Sequence, residues 1–224
     1  MAFHDPYAAL ELLGTIAFAV SGAEVAARAG MDWVGISVLA VVAAVGGGTV
    51  RDLLLGLEPV GWISRPLPVW MAVIAAGVVI ADAHRLKRRA LDARTLILLA
   101  DAVGLAVFTV TGAGLAYAVG ASRPVAVLLG VVTGVGGGVA RDVLARQSPL
   151  VLAGQVYALA AVAGGSTLML LDAAGVPNSL ARGLAVGVGL GLRLLAISQS
   201  WSLPRPLHRA EPDCYAERED EAGR

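Results

Sequence analysis

One motif occurs twice in this chain, as Gly46-Gly47-Gly48-Thr49-Val50-Arg51-Asp52 and as Gly136-Gly137-Gly138-Val139-Ala140-Arg141-Asp142. Each copy lies in a run of Val, Ala and Leu of helical length. Three consecutive glycines weaken a helix at one point, because each costs about 1 kcal/mol relative to alanine. The Arg-Asp pair that follows stays in apolar sequence, where ionisable groups are costly and face a protein interior or water. Together these features mark a site.

The surrounding sequence says where that site sits. With 57% hydrophobic and 15% charged residues and a mean hydropathy of +0.75, 224 residues hold more apolar sequence than one water-soluble core buries. The chain reads as an all-helical integral membrane protein. Its formal net charge is zero, so no global basic field points to nucleic acid. A single cysteine, Cys214, excludes an intrachain disulfide, and no Cys/His cluster has metal-ligand spacing. His4, His84 and His208 lie outside the apolar runs and read as solvated. Gly134-Val135-Gly136 begins like a dinucleotide fingerprint, but the third glycine is missing, and the only lysine, Lys87, is no Walker lysine. Neither an enzyme nor a cofactor is expected.

A hydrocarbon core of ~30 Å requires about 20 apolar residues per crossing helix. Such runs fall near 8–27, 33–56, 68–83, 96–119, 124–146, 151–172 and 180–199, predicting seven transmembrane helices. Met1 to Tyr7 carry no Lys or Arg, so the first run lacks the positive flank of a cleaved signal peptide and is expected to remain as a span. Turn residues separate the runs, at Glu58-Pro59 through Pro68, Ser122-Arg123-Pro124, Ser148-Pro149 and Gly175 to Asn178, with a basic stretch at 84–94. Trp33, Trp62, Trp70 and Trp201 fall at span ends, where an amphipathic ring prefers the headgroup level. The charged tail from Pro204 to Arg224 is expected to be disordered.

A shift of 90 residues, without a gap, superimposes one half on the other. It brings Gly14 onto Gly104, Phe18 onto Phe108, Ser21-Gly22-Ala23 onto Thr111-Gly112-Ala113, Gly30 onto Gly120 and Pro59 onto Pro149, with the motifs in register. Shared bias toward small apolar residues does not keep an aromatic, an Arg-Asp and a proline aligned. The expected organisation is a three-helix repeat with a basic linker (1–95), a second three-helix repeat (96–175), a seventh helix (176–200) and a cytoplasmic tail (201–224). A unit with an odd number of spans starts its second copy from the opposite side, so the repeats are expected to be inverted about an axis in the membrane plane.

Basic residues set the expected orientation. With the N-terminus outside, the inner segments hold Arg28, Arg85, Lys87, Arg88, Arg89, Arg94, Arg146, Arg205 and Arg209, against Arg65, Arg123 and Arg182 outside. Arg193, near the end of the last span, reads as snorkelling to the inner interface.

Gly14-Thr15-Ile16-Ala17-Phe18-Ala19-Val20-Ser21-Gly22, then Gly46 through Gly56 and the second copy ending at Asp142, resemble the prokaryotic trimeric intracellular cation channel family, whose domain is also labelled a glycine transporter domain. The resemblance covers about residues 8–200. It implies a homotrimer of seven-helix protomers, each with its own pore lined by the glycine-kinked second and fifth helices, passing monovalent cations such as potassium. Glu11 stands where Asp is expected, as Asp101 provides in the second repeat, and keeps the charge.

Each motif has two readings. Gly46, Gly47 and Gly48, and Gly136, Gly137 and Gly138, are hinges whose freed carbonyls line a water-filled path, or small residues that let helices pack closely. The hinge is the favoured reading, and Gly130, Gly134 and Gly138 also form a packing stripe. Arg51 and Asp52, like Arg141 and Asp142, point about 100° apart on a helix, so the members of each pair are not expected to bond each other. One is expected to face the pore and the other a neighbouring helix; the plainer reading is an anchored interfacial charge. The two guanidinium groups are expected about 20 Å apart along the membrane normal, as two separate constrictions. Gly183, Gly187 and Gly191 read as a packing face. Glu11, Glu24 and Asp101 serve equally as pore-mouth charges or solvated interfacial ones. Ser21, Thr109 and Thr111 are expected to bond their own helix backbone.

The expected function is a potassium-permeable channel in contact with membrane lipids. The alternative is a secondary transporter of a small zwitterion such as glycine, with arginine holding the carboxylate. An intramembrane arginine weighs against a cation path, because basic rings favour anions; a gate or a lipid-headgroup seat would reconcile it.

Overall fold

A computed structural model describes residues 6–85, 93–152, 156–199 and 201. In chain order the elements are α1 (Pro6–Arg28), α2 (Trp33–Leu54), α3 (Gly61–Ser64), α4 (Leu67–Arg85), α5 (Ala93–Ala118), α6 (Arg123–Leu144), a 3-10 turn (Leu150–Leu152), α7 (Ala158–Ala173) and α8 (Asn178–Ser198). No strand occurs among the described residues. The helices α1, α2, α5, α6 and α8 are long and apolar enough to cross a membrane, and α4 and α7 contain shorter apolar segments. These seven correspond to the seven apolar runs. The run near 151–172 differs in detail: a 3-10 turn occupies its start, and α7 begins at Ala158. The tiny α3 is additional. Residues 86–92 of the basic stretch, His4, His208, Arg205, Arg209, Cys214 and the tail lie outside the described residues.

Local chemistry sets the helix ends. The Asp32 carboxylate accepts from the Gly35 N–H at 2.7 Å and caps α2. The end of α1 closes through Gly30 (φ +74°), with the Met31 N–H donating to the Ala26 carbonyl at 3.1 Å. The end of α5 repeats this through Gly120 (φ +99°), with Ala121 donating to Ala116 at 3.0 Å.

Packing repeats with the sequence. Within the first half α1, α2 and α4 pack against one another, and α5, α6 and α7 do the same in the second. Across the halves, α1 packs on α5 and α2 on α6, while α8 lies against α7 and α5. At the α1–α5 crossing, Phe18 and Phe108 stack with ring centroids 5.5 Å apart. Each ring occupies the space left by the other helix's glycine: a Cβ on Gly104 would come within 2.7 Å of the Phe18 ring, and one on Gly14 within 3.4 Å of Phe108. Gly14 lies one turn before Phe18 and Gly104 one turn before Phe108, so the two helices run past each other in opposite directions.

Candidate functional site

The doubled motif lies where α2 crosses α6. Both helices run without interruption through their three glycines, so the expected break is not present. Close approach takes its place. A Cβ on Gly47 would collide with the Thr133 carbonyl oxygen, and one on Gly137 with the Ala43 carbonyl oxygen. Only glycine in the middle of each triplet lets these backbones touch. The flanking glycines differ between halves. Gly46 and Gly48 have free space of ordinary width, with nearest atoms at 3.9 Å and 3.7 Å, whereas a Cβ on Gly136 would lie 3.1 Å from the Gly47 Cα and one on Gly138 3.0 Å from the Tyr157 hydroxyl. The expected stripe on α6 is present too, since Gly130 and Gly134 fit against the Thr109 and Leu105 carbonyls of α5.

One turn beyond each triplet the Arg-Asp pairs are buried. Arg51 donates from Nε and Nη2 to Asp52 Oδ1 at 2.8 and 2.6 Å. Arg141 donates from Nε to Asp142 Oδ1 at 2.8 Å. Neighbours that leave the helix in different directions therefore do pair, contrary to the expectation from helix angle. The arginine stem is long enough to fold back over the 100° between them. The other carboxylate oxygen of each aspartate reaches out of the helix: Asp52 Oδ2 accepts from the Gly61 N–H at 2.9 Å, and Asp142 Oδ2 from the Leu150 N–H at 3.0 Å. Each aspartate thus fixes its arginine and caps the short helical turn that follows.

Beyond this shared core the halves diverge. Arg141 also donates from Nη1 to Asp101 Oδ1 of α5 at 2.7 Å and to Ser21 Oγ of α1 at 2.6 Å. Arg141 and Asp101 are 0% exposed. Glu11 does not play the part of Asp101, because it lies exposed on α1, so the first half holds its arginine with Asp52 alone among the contacts described. Glu24, by contrast, is buried at 1% exposure. Ser21 serves Arg141 and only weakly a backbone carbonyl, that of Ile97 at 3.5 Å. Thr111 does bond its own helix, donating to the Val107 carbonyl at 3.0 Å.

Two further residues complete the second cluster; sequence reasoning missed Tyr157 and misplaced Arg193. Tyr157, at the start of α7, places its hydroxyl beside Gly138 and Asp101. Arg193 of α8 lies over the Tyr157 ring, 4.8 Å from its centroid. It is 0% exposed, which corrects the snorkelling expectation. The signal was present in α8 as small residues at four-residue spacing, Ala181, Ala185 and Gly189, which end in Arg193 and form the buried face. The expected packing face is the wrong one within the protomer: a Cβ on Gly183, Gly187 or Gly191 meets no atom within 4 Å.

The family model described as Glycine transporter matches the chain twice, over residues 8–84 and 98–173. Among curated relatives, the UPF0126 membrane protein of Vibrio cholerae is 42% identical over 195 residues, 87% of this chain and 80% of that one. The UPF0126 inner membrane protein YadS of Escherichia coli is 39% identical over 196 residues, 87% of this chain and 93% of that one. Among solved structures, the trimeric intracellular cation channel orthologue from Rhodobacter sphaeroides superimposes with a TM-score of 0.81 at 37% identity, covering 87% of this chain and 98% of that one. The chain belongs to the trimeric intracellular cation channel family.

The paired matches of the family model coincide with the two halves that meet at the Gly47–Gly137 and Phe18–Phe108 crossings. This member of the trimeric intracellular cation channel family is therefore a multi-pass membrane protein. It is not an enzyme.

Proposed function

We propose that the protein is a monovalent cation channel permeable to potassium. Its path runs within each protomer beside the α2–α6 crossing, past Gly46, Gly47, Gly48, Arg51 and Asp52 on one side and Gly136, Gly137, Gly138, Arg141 and Asp142 on the other. The observation that carries this reading is charge compensation. Arg51 is neutralised by Asp52, and Arg141 is met by both Asp101 and Asp142. A bare intramembrane guanidinium would favour anions; a guanidinium bonded to carboxylates does not. The same engagement occupies Nε and Nη2 of Arg51 and Nε and Nη1 of Arg141, which disfavours the zwitterion-transporter alternative. The likeness to the Rhodobacter sphaeroides channel supports the reading.

The protomers form a homotrimer in the inner membrane, in contact with lipid through exposed apolar side chains such as Leu53, Leu54, Trp70 and Val78. The two halves are inverted repeats, consistent with the antiparallel α1–α5 and α2–α6 crossings. The N-terminus faces outward and the basic segments face the cytoplasm. Reconstitution in liposomes under a potassium chloride gradient tests the function. A reversal potential close to the potassium value is expected. A value close to that of chloride, or a saturating flux coupled to a second solute, rejects the channel.

A further inference from the structure

The second cluster contains a charge that neither repeat supplies. Asp101 of α5 and Asp142 of α6 bring two negative charges, and Arg141 brings one positive charge, bonded to both. The fourth charge is Arg193, which comes from α8 outside the duplicated unit. It is fully buried and stacks at 4.8 Å on the Tyr157 ring, whose hydroxyl and Asp101 Oδ1 both lie beside Gly138. Tyr157 is itself 1% exposed, and its hydroxyl projects to Gly138 at the α6 glycine triplet. The stack therefore does two things: it fixes the phenol at the triplet, and it places a permanent cation behind it. With Arg193 the four side chains sum to zero, and without it they carry one net negative charge. Charges in this low-dielectric setting act over several ångströms with little screening.

We infer that Arg193 is a specificity-determining residue: through Tyr157 and Asp101 it sets the net charge that a permeating ion meets at the second-repeat cluster, and so limits how strongly the path prefers cations. This rests on the channel reading above. Arg193 acts on the path through Tyr157 and Asp101 and is a positioning residue in that sense.

The test uses the full chain in phosphatidylcholine liposomes, whose neutral surface adds no field of its own, and reads the potassium-to-chloride permeability ratio from reversal potentials. Relative to wild type, Arg193→Gln is expected to raise that ratio by at least about fivefold, as one uncompensated charge acting through protein requires. Arg193→Lys keeps the charge and is expected to stay within about twofold of wild type. A merely structural arginine would change yield and melting temperature without moving the ratio. A monodisperse, conducting Arg193→Gln protein with the wild-type ratio overturns the inference and leaves the channel reading intact; a wild-type protein that passes neither ion overturns the channel reading itself. Where Arg193→Gln does not fold, Arg193→Met, which keeps an unbranched stem over the Tyr157 ring and removes the charge, is read in the same way and is expected to raise the ratio as far. An unchanged ratio in that variant also overturns the inference.

Discussion

Gly56 and Arg146 close equivalent helix ends with the same backbone sign, at φ +65° and φ +55°. After α2, the Leu57 N–H donates to the Asp52 carbonyl at 2.9 Å; after α6, the Gln147 N–H donates to the Asp142 carbonyl at 2.8 Å. The two turns are one motif with two residues at its left-handed position. A side chain there costs roughly 1–2 kcal/mol that glycine does not. Arg146→Gly is therefore expected to stabilise the protein by about 1 kcal/mol, read as a higher melting temperature in detergent. A lower one rejects the equivalence of the two turns.

The triplets are expected to respond unevenly to alanine. Gly47→Ala and Gly137→Ala press a methyl against a backbone carbonyl that cannot rotate away, and each is expected to destabilise by about 1–3 kcal/mol. Gly46→Ala and Gly48→Ala, with nearest atoms at 3.9 and 3.7 Å, are expected to fold as wild type does. Equal losses at Gly46 and Gly47 would show that backbone bending, rather than helix contact, is what the glycines serve.

Coupling is expected within the second cluster and absent between clusters. Arg141→Gln leaves Asp101 and Asp142 buried without their partner, and breaking such a pair costs about 3–5 kcal/mol. Adding Asp101→Asn should recover part of that, with a double-mutant interaction of at least about 1 kcal/mol. Arg51 is held by its own aspartate, so Arg51→Gln combined with Arg141→Gln should be additive within about 0.5 kcal/mol. A large interaction between the two arginines rejects the two-constriction arrangement.

Cys214 reports on topology as the single cysteine of the chain. In sealed right-side-out vesicles a membrane-impermeant maleimide is expected to leave it unlabelled until detergent is added. Ready labelling of intact vesicles places the C-terminal segment outside and reverses the orientation.

The sequence made the helices and the duplication legible, because both are written as periodicity: apolar runs of membrane length, and a register that holds Phe18 over Phe108 and Gly47 over Gly137. What glycine was for was less legible. Its cost to a helix is visible in one segment, whereas the carbonyls of Thr133 and Ala43 that require it belong to the partner helix. The Arg-Asp pairs stood out in the sequence and are buried, but their geometry was misread, since backbone angle speaks for Cβ direction and not for the reach of a guanidinium. Arg193 and Tyr157 sit close to helix ends, where sequence alone gives the same appearance to a wetted side chain and a buried one. Only the company of Ala181, Ala185 and Gly189 on one face separates them.

The backbone contacts treat the two halves alike, and α8 does not. Resting on α5 and α7, it adds Arg193 to one cluster, while the other consists of Arg51 and Asp52, with Glu11 exposed on α1. On the channel reading, a protomer built this way is expected to behave as a diode rather than a resistor. Equal and opposite voltages would then drive unequal currents, because an ion entering from one face would meet the four-charge cluster first and an ion entering from the other would meet it last. Such rectification would come from fixed side chains and need no moving part.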